Sequence, residues 1–237
     1  MSSRTSRAFS GTLTGVMQFA LQVLLQAVFA PLVLKLAGRE TLGAYAIVIQ
    51  AIMYLYLVDL GFNTALGRYL AQAHGRDDGH ARFRQIFAMG RVFFALSNLL
   101  FAGSLFVLSH YIGGFFNFSP EIEQQARLGL YAIALWSVVR VPLVVYNTAL
   151  IATQNLAASN TIMMAANTVR LITTVGLLFA GVGLTGLLLA NVASEAIAAL
   201  AYWRHYRRLY PDERMGWRID DGRRFREVFL FGLQYFV

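Results

Sequence analysis

The sequence predicts an all-α integral membrane protein, a polytopic bundle of six transmembrane helices followed by the start of a seventh. Two features of the composition favour this fold class: 57% of the 237 residues are hydrophobic and only 14% are charged. Soluble domains carry roughly 25% charged residues, so the deficit is typical of a chain that lies in lipid. The third observation is that long apolar segments recur along the chain, each close to the ~20 residues that a helix needs to cross the hydrocarbon core.

Six apolar segments are long enough to span a bilayer as helices. They are residues 11–36, 43–70, 86–109, 128–151, 158–180 and 184–203. Gly181 and Gly183 supply the turn of a tight hairpin between the last two segments. A seventh apolar run is too short to span a bilayer. Either the protein ends there in a frayed tail or the chain is a fragment cut inside the next helix, and we expect the fragment. The predicted division is a six-helix lobe over 1–204, a basic cytoplasmic loop over 205–227 and the truncated start of a helix over 228–237.

The arginines predict the orientation of the bundle. They precede the first span, fill the loop between the second and third spans, and concentrate after the sixth span. The intervening loops are poor in basic residues, and the predicted outer loop at 111–125 carries only the acids Glu121 and Glu123. The positive-inside rule therefore places the N-terminus in the cytoplasm. The same loops account for the formal net charge of +8 without a nucleic-acid partner.

Several kinds of chemistry find no support in the sequence. The chain has no cysteine, which excludes disulfides, thiolate metal sites and cysteine nucleophiles. Its four histidines show no metal-ligand spacing, and no nucleotide-binding glycine pattern or nucleophile–base arrangement is present. We therefore predict neither a metal nor a cofactor, and we do not expect an enzyme.

Polar residues inside the spans are the candidates for function, because charges in membrane helices are costly and face a bundle interior or a wet cavity. They fall on single helical faces, such as the stripe Gln18, Gln22 and Gln26 in the first span. Pro142 should kink the fourth span, since it removes a backbone hydrogen bond. From depth and face we select five residues as substrate-binding candidates in a polar lumen: Arg140, Arg170, Asn147, Asn167 and Gln22.

Four further charged residues have possible roles. Asp59 and Glu195 are the ionisable groups that could couple transport to an ion. Arg68 and Arg91 lie near the predicted cytoplasmic mouth and could attract an anion there.

Structural alternatives to these roles stay open. Asparagine and glutamine often serve only to hold helices together. Arg140 and Arg170 could form structural ion pairs with Glu195 and Asp59, and Asp59, just before Gly61, could instead cap or break its helix. Arg68 and Arg91 could be anchors whose long side chains reach the interface.

One stretch carries a family resemblance. Residues 42–73 read LGAYAIVIQAIMYLYLVDLGFNTALGRYLAQA and run into a basic loop. This stretch resembles the polysaccharide flippases of the multidrug/oligosaccharidyl-lipid/polysaccharide exporter superfamily, in particular the translocases of O-antigen and lipid-linked oligosaccharides. The passage from Pro142 through Tyr146 and Asn147 to Gln154, followed by Asn160, is similar to the fourth-to-fifth passage of the same proteins.

The resemblance implies a fold of two six-helix lobes with a substrate path between them, of which this chain is the N-terminal lobe. It implies export of a lipid-linked oligosaccharide or polysaccharide precursor across the bacterial inner membrane by alternating access. The expected partners are a polyprenyl-pyrophosphate-linked glycan, membrane lipids and proteins of glycan assembly. Members carry cationic residues in the central cavity that hold the pyrophosphate, and Arg140 and Arg170 are our candidates for that role.

Two other functions remain as alternatives. A cation-coupled exporter of small molecules or drugs from the same superfamily would favour acidic and aromatic lumens over arginines. A membrane-embedded glycan polymerase would need large extramembrane loops with catalytic bases. The longest predicted outer loop, at 111–125, offers only Glu121 and Glu123 as such bases.

Overall fold

A computed structural model describes residues 2–55, 61–75, 79–211 and 216–217, without the side chains of 2–8 and 79. The described residues form seven α-helices and one short 3₁₀ turn, and no strand. The helices are α1 Ser2–Leu55, α2 Phe62–His74, α3 Gly79–Phe116, α4 Pro120–Val139, α5 Val145–Ala152, α6 Leu156–Phe179 and α7 Gly183–Leu209, with the 3₁₀ turn Val141–Leu143 between α4 and α5. The prediction of an all-α membrane bundle is confirmed.

The long helix α1 is a hairpin of two arms. Gly38 departs from helical geometry with φ 85° and ψ 174°, a conformation that glycine adopts at little cost. In a straight helix, Phe29 and Tyr45 would lie about 24 Å apart. Their ring centroids are instead 5.2 Å apart, so the second arm folds back on the first. The first two predicted segments are thus joined by a turn at Gly38.

The second predicted segment, 43–70, is not one uninterrupted helix. The second arm of α1 ends at Leu55, and α2 begins at Phe62 after Gly61, whose φ of 72° is left-handed. A left-handed residue cannot continue a right-handed helix, so the chain changes direction there. Asp59 lies outside the described residues, and the question of whether it caps or breaks the helix stays open.

The predicted outer loop at 111–125 is much shorter than expected. Helix α3 continues to Phe116, and α4 already begins at Pro120. Proline is favoured at the first position of a helix, and Glu121 and Glu123 occupy the first turn, where the positive end of the helix dipole stabilises acids. The two acids are therefore helical residues, and the expectation of a loop there was wrong.

The hairpin between α6 and α7 is confirmed. Gly181 and Gly183 have φ of 75° and 58°, which other residues adopt only with strain. The side chain of Gln125 in α4 secures this turn, because its Oε1 accepts a hydrogen bond from the backbone N–H of Leu184 at 2.6 Å. Helix α7 runs on to Leu209, past the predicted end of the lobe at residue 204. Of the basic loop beyond it, the structure describes only 210–211 and 216–217, and the predicted helix start at 228–237 lies outside the described residues.

Four of the described helices are long and apolar enough to cross a membrane: α1, α3, α6 and α7. The pair formed by α4 and the segment Val141–Ala152, bent by 51°, makes a fifth if it is one span. The count of six spans plus a seventh stays a prediction. Many large apolar side chains are exposed on the outside of the bundle, among them Phe9, Phe19, Leu24, Leu100, Phe115 and Phe179. Burial of such a side chain is worth about 1.5–3 kcal/mol, which indicates contact with lipid rather than water.

Two hydrophobic clusters divide the bundle along its axis. One contains Phe93, Phe94, Val145 and the second half of α7 from Ala198 to Tyr206. The other contains Val33, Phe101, Ile133 and the start of α7 from Leu184 to Leu188. The helices pack closely within them: a Cβ on Gly90 would lie 2.6 Å from Leu66 Cδ2. Between the two clusters α3, α4 and α7 each carry polar residues, and that middle layer holds the candidate site.

Candidate functional site

The break between α4 and α5 positions Arg140. Arg140 is the residue at which α4 ends, and its carbonyl oxygen accepts hydrogen bonds from the backbone N–H groups of Leu143 (2.8 Å) and Val144 (3.1 Å). Pro142 lies in this turn, where its missing N–H and its ring prevent a regular helix. The predicted kink is thus confirmed, and it places the guanidinium at the bend of the span.

Arg140 connects three helices through its side chain. Its Nη1 lies 2.7 Å from Glu195 Oε2 on α7, and its Nε donates to Asn98 Oδ1 on α3 at 3.0 Å. Trp136 Nε1, one turn earlier on α4, donates to the same Glu195 oxygen at 3.2 Å. Of the two charged side chains, Arg140 is 17% exposed and Glu195 43%. The ion pair that the sequence left open as a structural alternative therefore exists, and its carboxylate faces open space.

One cavity of about 360 Å³ lies beside this ion pair, between the α4–α5 bend, α6 and α7. We call it the arginine cavity. Its polar lining includes Arg140, Asn147, Asn167, Arg170, Asn191 and Glu195. The fold therefore brings together four of the five substrate-binding candidates and one of the two ion-coupling candidates.

The arginine cavity carries a positive charge. Two arginines face one carboxylate among its described lining residues, which leaves one net positive charge. Arg140 is the arginine that pairs with Glu195. Arg170 on α6 is only partly buried and makes no hydrogen bond or ion pair within the described part of the chain. An arginine cannot lose its charge by deprotonation, so Arg170 favours an anion in the cavity.

A second cavity of about 280 Å³ lies on the other side of the same bend. We call it the amide cavity, because its lining includes Asn63, Asn98 and Asn147. Ser97 and Thr148 add hydroxyl groups to it, and Phe94 and Phe101 add aromatic rings. Arg140, Val144 and Asn147 line both cavities, so the bend forms the wall between them.

Both cavities lie near the middle of the bundle. Glu195 follows Gly183, the first residue of α7, by twelve positions, which corresponds to about 18 Å along the axis. A hydrocarbon core is about 30 Å thick, so a span of this kind carries Glu195 near its centre. On α3, Asn98 separates Phe94 of one hydrophobic cluster from Phe101 of the other.

Three candidates line neither cavity. Gln22 lies partly buried on the first arm of α1, and Arg68 is exposed on α2. Arg91 is only 6% exposed, and its predicted place near the cytoplasmic mouth stays a prediction. Asp59, the other ion-coupling candidate, lies outside the described residues, and its pairing with Arg170 stays a prediction.

Arg91 supports the bend from α3. Its Nη2 donates to Tyr146 Oη at 2.8 Å and to the carbonyl oxygen of Pro142 at 3.4 Å. Its guanidinium carbon lies 5.0, 5.5 and 5.2 Å from the ring centroids of Phe87, Tyr146 and Trp217, distances typical of cation–π contacts. Arg91 therefore contacts the irregular backbone that positions Arg140.

Sequence reasoning missed several residues of the site. Asn63, Ser97 and Thr148 were not selected because none belongs to a repeating polar stripe; they meet only when α2, α3 and α5 pack. A weak signal existed for Thr148, which directly follows the selected Asn147. Among the described residues no group of three histidine, cysteine or acidic side chains is arranged to hold a metal ion.

The fold and the site define a multi-pass helical membrane protein with polar, cationic space at mid-depth. A family model described as MatE matches residues 16–176, from the first arm of α1 into α6. This match covers well over half of the chain, and the chain belongs to the MatE family of the multidrug/oligosaccharidyl-lipid/polysaccharide exporter superfamily, whose members are transporters. No curated protein and no solved structure matches the chain.

Proposed function

We propose that this chain is a lobe of a flippase that moves a lipid-linked oligosaccharide or polysaccharide precursor across the bacterial inner membrane by alternating access. In this proposal the pyrophosphate of a polyprenyl-linked glycan occupies the arginine cavity. The membrane-exporter class follows from the family. The substrate is our inference from the chemistry of the cavity.

The observation that carries the proposal is the position of Arg170. It faces a mid-depth cavity, lacks a described partner and shares the lining with Arg140. A guanidinium matches the geometry of phosphate oxygens with two parallel hydrogen bonds, and such charge-assisted bonds are roughly twice as strong as neutral ones. Asn167 adds a neutral donor to the same lining. A pyrophosphate group would satisfy this set of donors.

The cation-coupled exporter of small molecules is the second candidate, and Glu195 is the observation that favours it. Its carboxylate is 43% exposed and could exchange a proton or bind a cation. However, Arg140 already neutralises this carboxylate at 2.7 Å, and Arg170 would repel a cation from the cavity. The lining therefore supports an anionic cargo better than a cationic one.

The test compares two arginines of the purified chain in lipid nanodiscs. Arg170→Gln removes the charge in the cavity, whereas Arg204→Gln removes an exposed charge near the end of α7 and serves as the control. Loss of a hydrogen bond to a charged group costs roughly 1.5–3 kcal/mol, so we expect Arg170→Gln to weaken undecaprenyl pyrophosphate binding about 10- to 100-fold. An unchanged affinity in Arg170→Gln, or an equal loss in both variants, would refute the proposal.

A further inference from the structure

We infer that the amide cavity is a sugar subsite, which holds the first sugar of the glycan while its pyrophosphate lies in the arginine cavity. This inference rests on the proposed function and adds a second ligand group and a second set of residues to it. It starts from three unused polar groups in the amide cavity.

Those three groups line one space without a described partner. Asn63 uses its Oδ1 to accept a hydrogen bond from Thr148 Oγ1 at 2.6 Å, and Asn147 uses its Oδ1 to accept one from Ser159 Oγ at 2.7 Å. Within the described residues, neither amide Nδ2 has an acceptor, and Ser97 Oγ has no partner. The oxygens fix the orientation of both amides, so their N–H groups remain for a ligand.

The charge of the cavity selects a neutral ligand. Arg140 is the charged residue in its described lining, and Glu195 neutralises it from the other side of the bend. No carboxylate among the described lining residues is available to bind a cation. A purely apolar group is disfavoured as well, because it would leave the amide and hydroxyl donors without partners.

A sugar ring has the combination of surfaces that this lining requires. Its hydroxyl and acetamido groups accept hydrogen bonds from amide N–H groups, and the C–H faces of its ring pack against aromatic side chains. Phe94 and Phe101 provide aromatic surface on α3, on either side of Asn98. The cavity volume of about 280 Å³ is far larger than the roughly 30 Å³ that one water molecule occupies.

The two cavities adjoin each other along the bend. Arg140, Val144 and Asn147 line both, so a ligand that passes this bend contacts both spaces. A glycosyl pyrophosphate has the matching order of groups, since an anionic pyrophosphate is bonded directly to a neutral sugar. The amide cavity then binds the sugar, and the arginine cavity binds the charged pyrophosphate that all such lipids share.

The experiment measures the increment in affinity that a sugar adds. The two probes are citronellyl pyrophosphate and citronellyl pyrophosphoryl N-acetylglucosamine, titrated against the full chain in nanodiscs. Two or three extra hydrogen bonds predict that the sugar tightens binding about tenfold in the unmodified protein. In Ser97→Ala and in Asn63→Ala, which each remove one of these bonds, this ratio should fall to about three- to fivefold, with little change for the probe without sugar.

Two control variants separate the subsite from the anion site. Ser104 lies on the same helix as Ser97, but its hydroxyl is exposed and donates to the carbonyl oxygen of Leu100. The substitution Ser104→Ala should therefore leave the sugar increment unchanged. Arg170→Gln should weaken both probes and preserve their ratio. Thermal unfolding of every variant verifies the fold, and Ser97→Ala decides alone if Asn63→Ala does not fold.

The outcomes distinguish the two proposals. If the probe without sugar does not bind, the proposed function itself fails. If that probe binds and the sugar adds nothing, or if the increment survives Ser97→Ala, the sugar subsite is refuted and the anion site stands.

Discussion

Replacing Glu195 by glutamine removes the acidic lining residue of the arginine cavity and nearly preserves its shape. The positive charge of the cavity then rises by one, because Arg140 loses its counter-ion at 2.7 Å. A bound anion on the far side of the guanidinium would lie about 6 Å from the carboxylate. At that separation a unit charge contributes roughly 0.7 kcal/mol in water and roughly 3 kcal/mol at an effective dielectric constant near 20.

The exposure of Glu195 decides between these limits. Its side chain is 43% exposed, so solvent screens it and the value falls near the lower limit, at about 1 kcal/mol. Glu195→Gln should therefore tighten binding of inorganic pyrophosphate about fivefold. The assay is calorimetric titration of the chain in nanodiscs at low ionic strength.

The chain provides a matched control for this change. Glu123 pairs with Arg127 at 2.6 Å near the start of α4, with a similar side-chain exposure of 31%. Glu123→Gln removes an Arg–Glu pair of similar N–O distance, outside the lining of the cavity, and should leave the affinity unchanged. Equal tightening in both variants, or weaker binding in Glu195→Gln, would refute the placement of the anion beside Arg140.

Two further predictions concern stability, measured by thermal unfolding in detergent. Tyr146→Phe removes the hydroxyl that accepts from buried Arg91 and should destabilise the bundle by about 1–3 kcal/mol. Gly129→Ala should destabilise it by about 1–3 kcal/mol, because a new Cβ would overlap Leu188 Cδ1 and lie 2.8 Å from Leu188 Cβ.

Each of the two stability predictions has its own control variant. Tyr202→Phe removes a hydroxyl whose hydrogen bond to Ser159 is long, at 3.5 Å, so the unfolding temperature should barely move. Gly176→Ala adds a Cβ that meets no atom within 4 Å and should be neutral or slightly stabilising. If Tyr146 and Tyr202 behaved alike, Arg91 would not support the bend as described.

The features that the sequence predicted best are those with local causes. Pro142 removes a backbone hydrogen bond from its own span, where the helix bends. Gly181 and Gly183 form a turn through their own backbone freedom. The ends of α3 and α4 were misplaced for a physical reason as well. Hydropathy indicates the apolar core of a span, whereas helix α3 runs on to Phe116 and helix α4 already begins at Pro120.

The site required tertiary packing that no local pattern contains. Depth and helical face were sufficient to select Arg140, Arg170 and Glu195. The ion pair between Arg140 and Glu195, however, joins residues that are 55 positions apart in the sequence. Arg91 was selected from its position along the span, which carries no information on burial, and its place at a cytoplasmic mouth stays a prediction. Its burial follows from aromatic rings that other elements contribute, among them Tyr146 and Trp217.

The central claim is that the mid-depth cavity recognises the charged head group of a lipid. The most direct measurement compares undecaprenyl pyrophosphate with undecaprenol, which has the same hydrocarbon chain and no phosphate, as ligands of the chain in nanodiscs. The cationic cavity predicts saturable binding of the pyrophosphate that weakens with salt, and at least tenfold weaker binding of the alcohol. Equal, salt-independent binding of both lipids would contradict it.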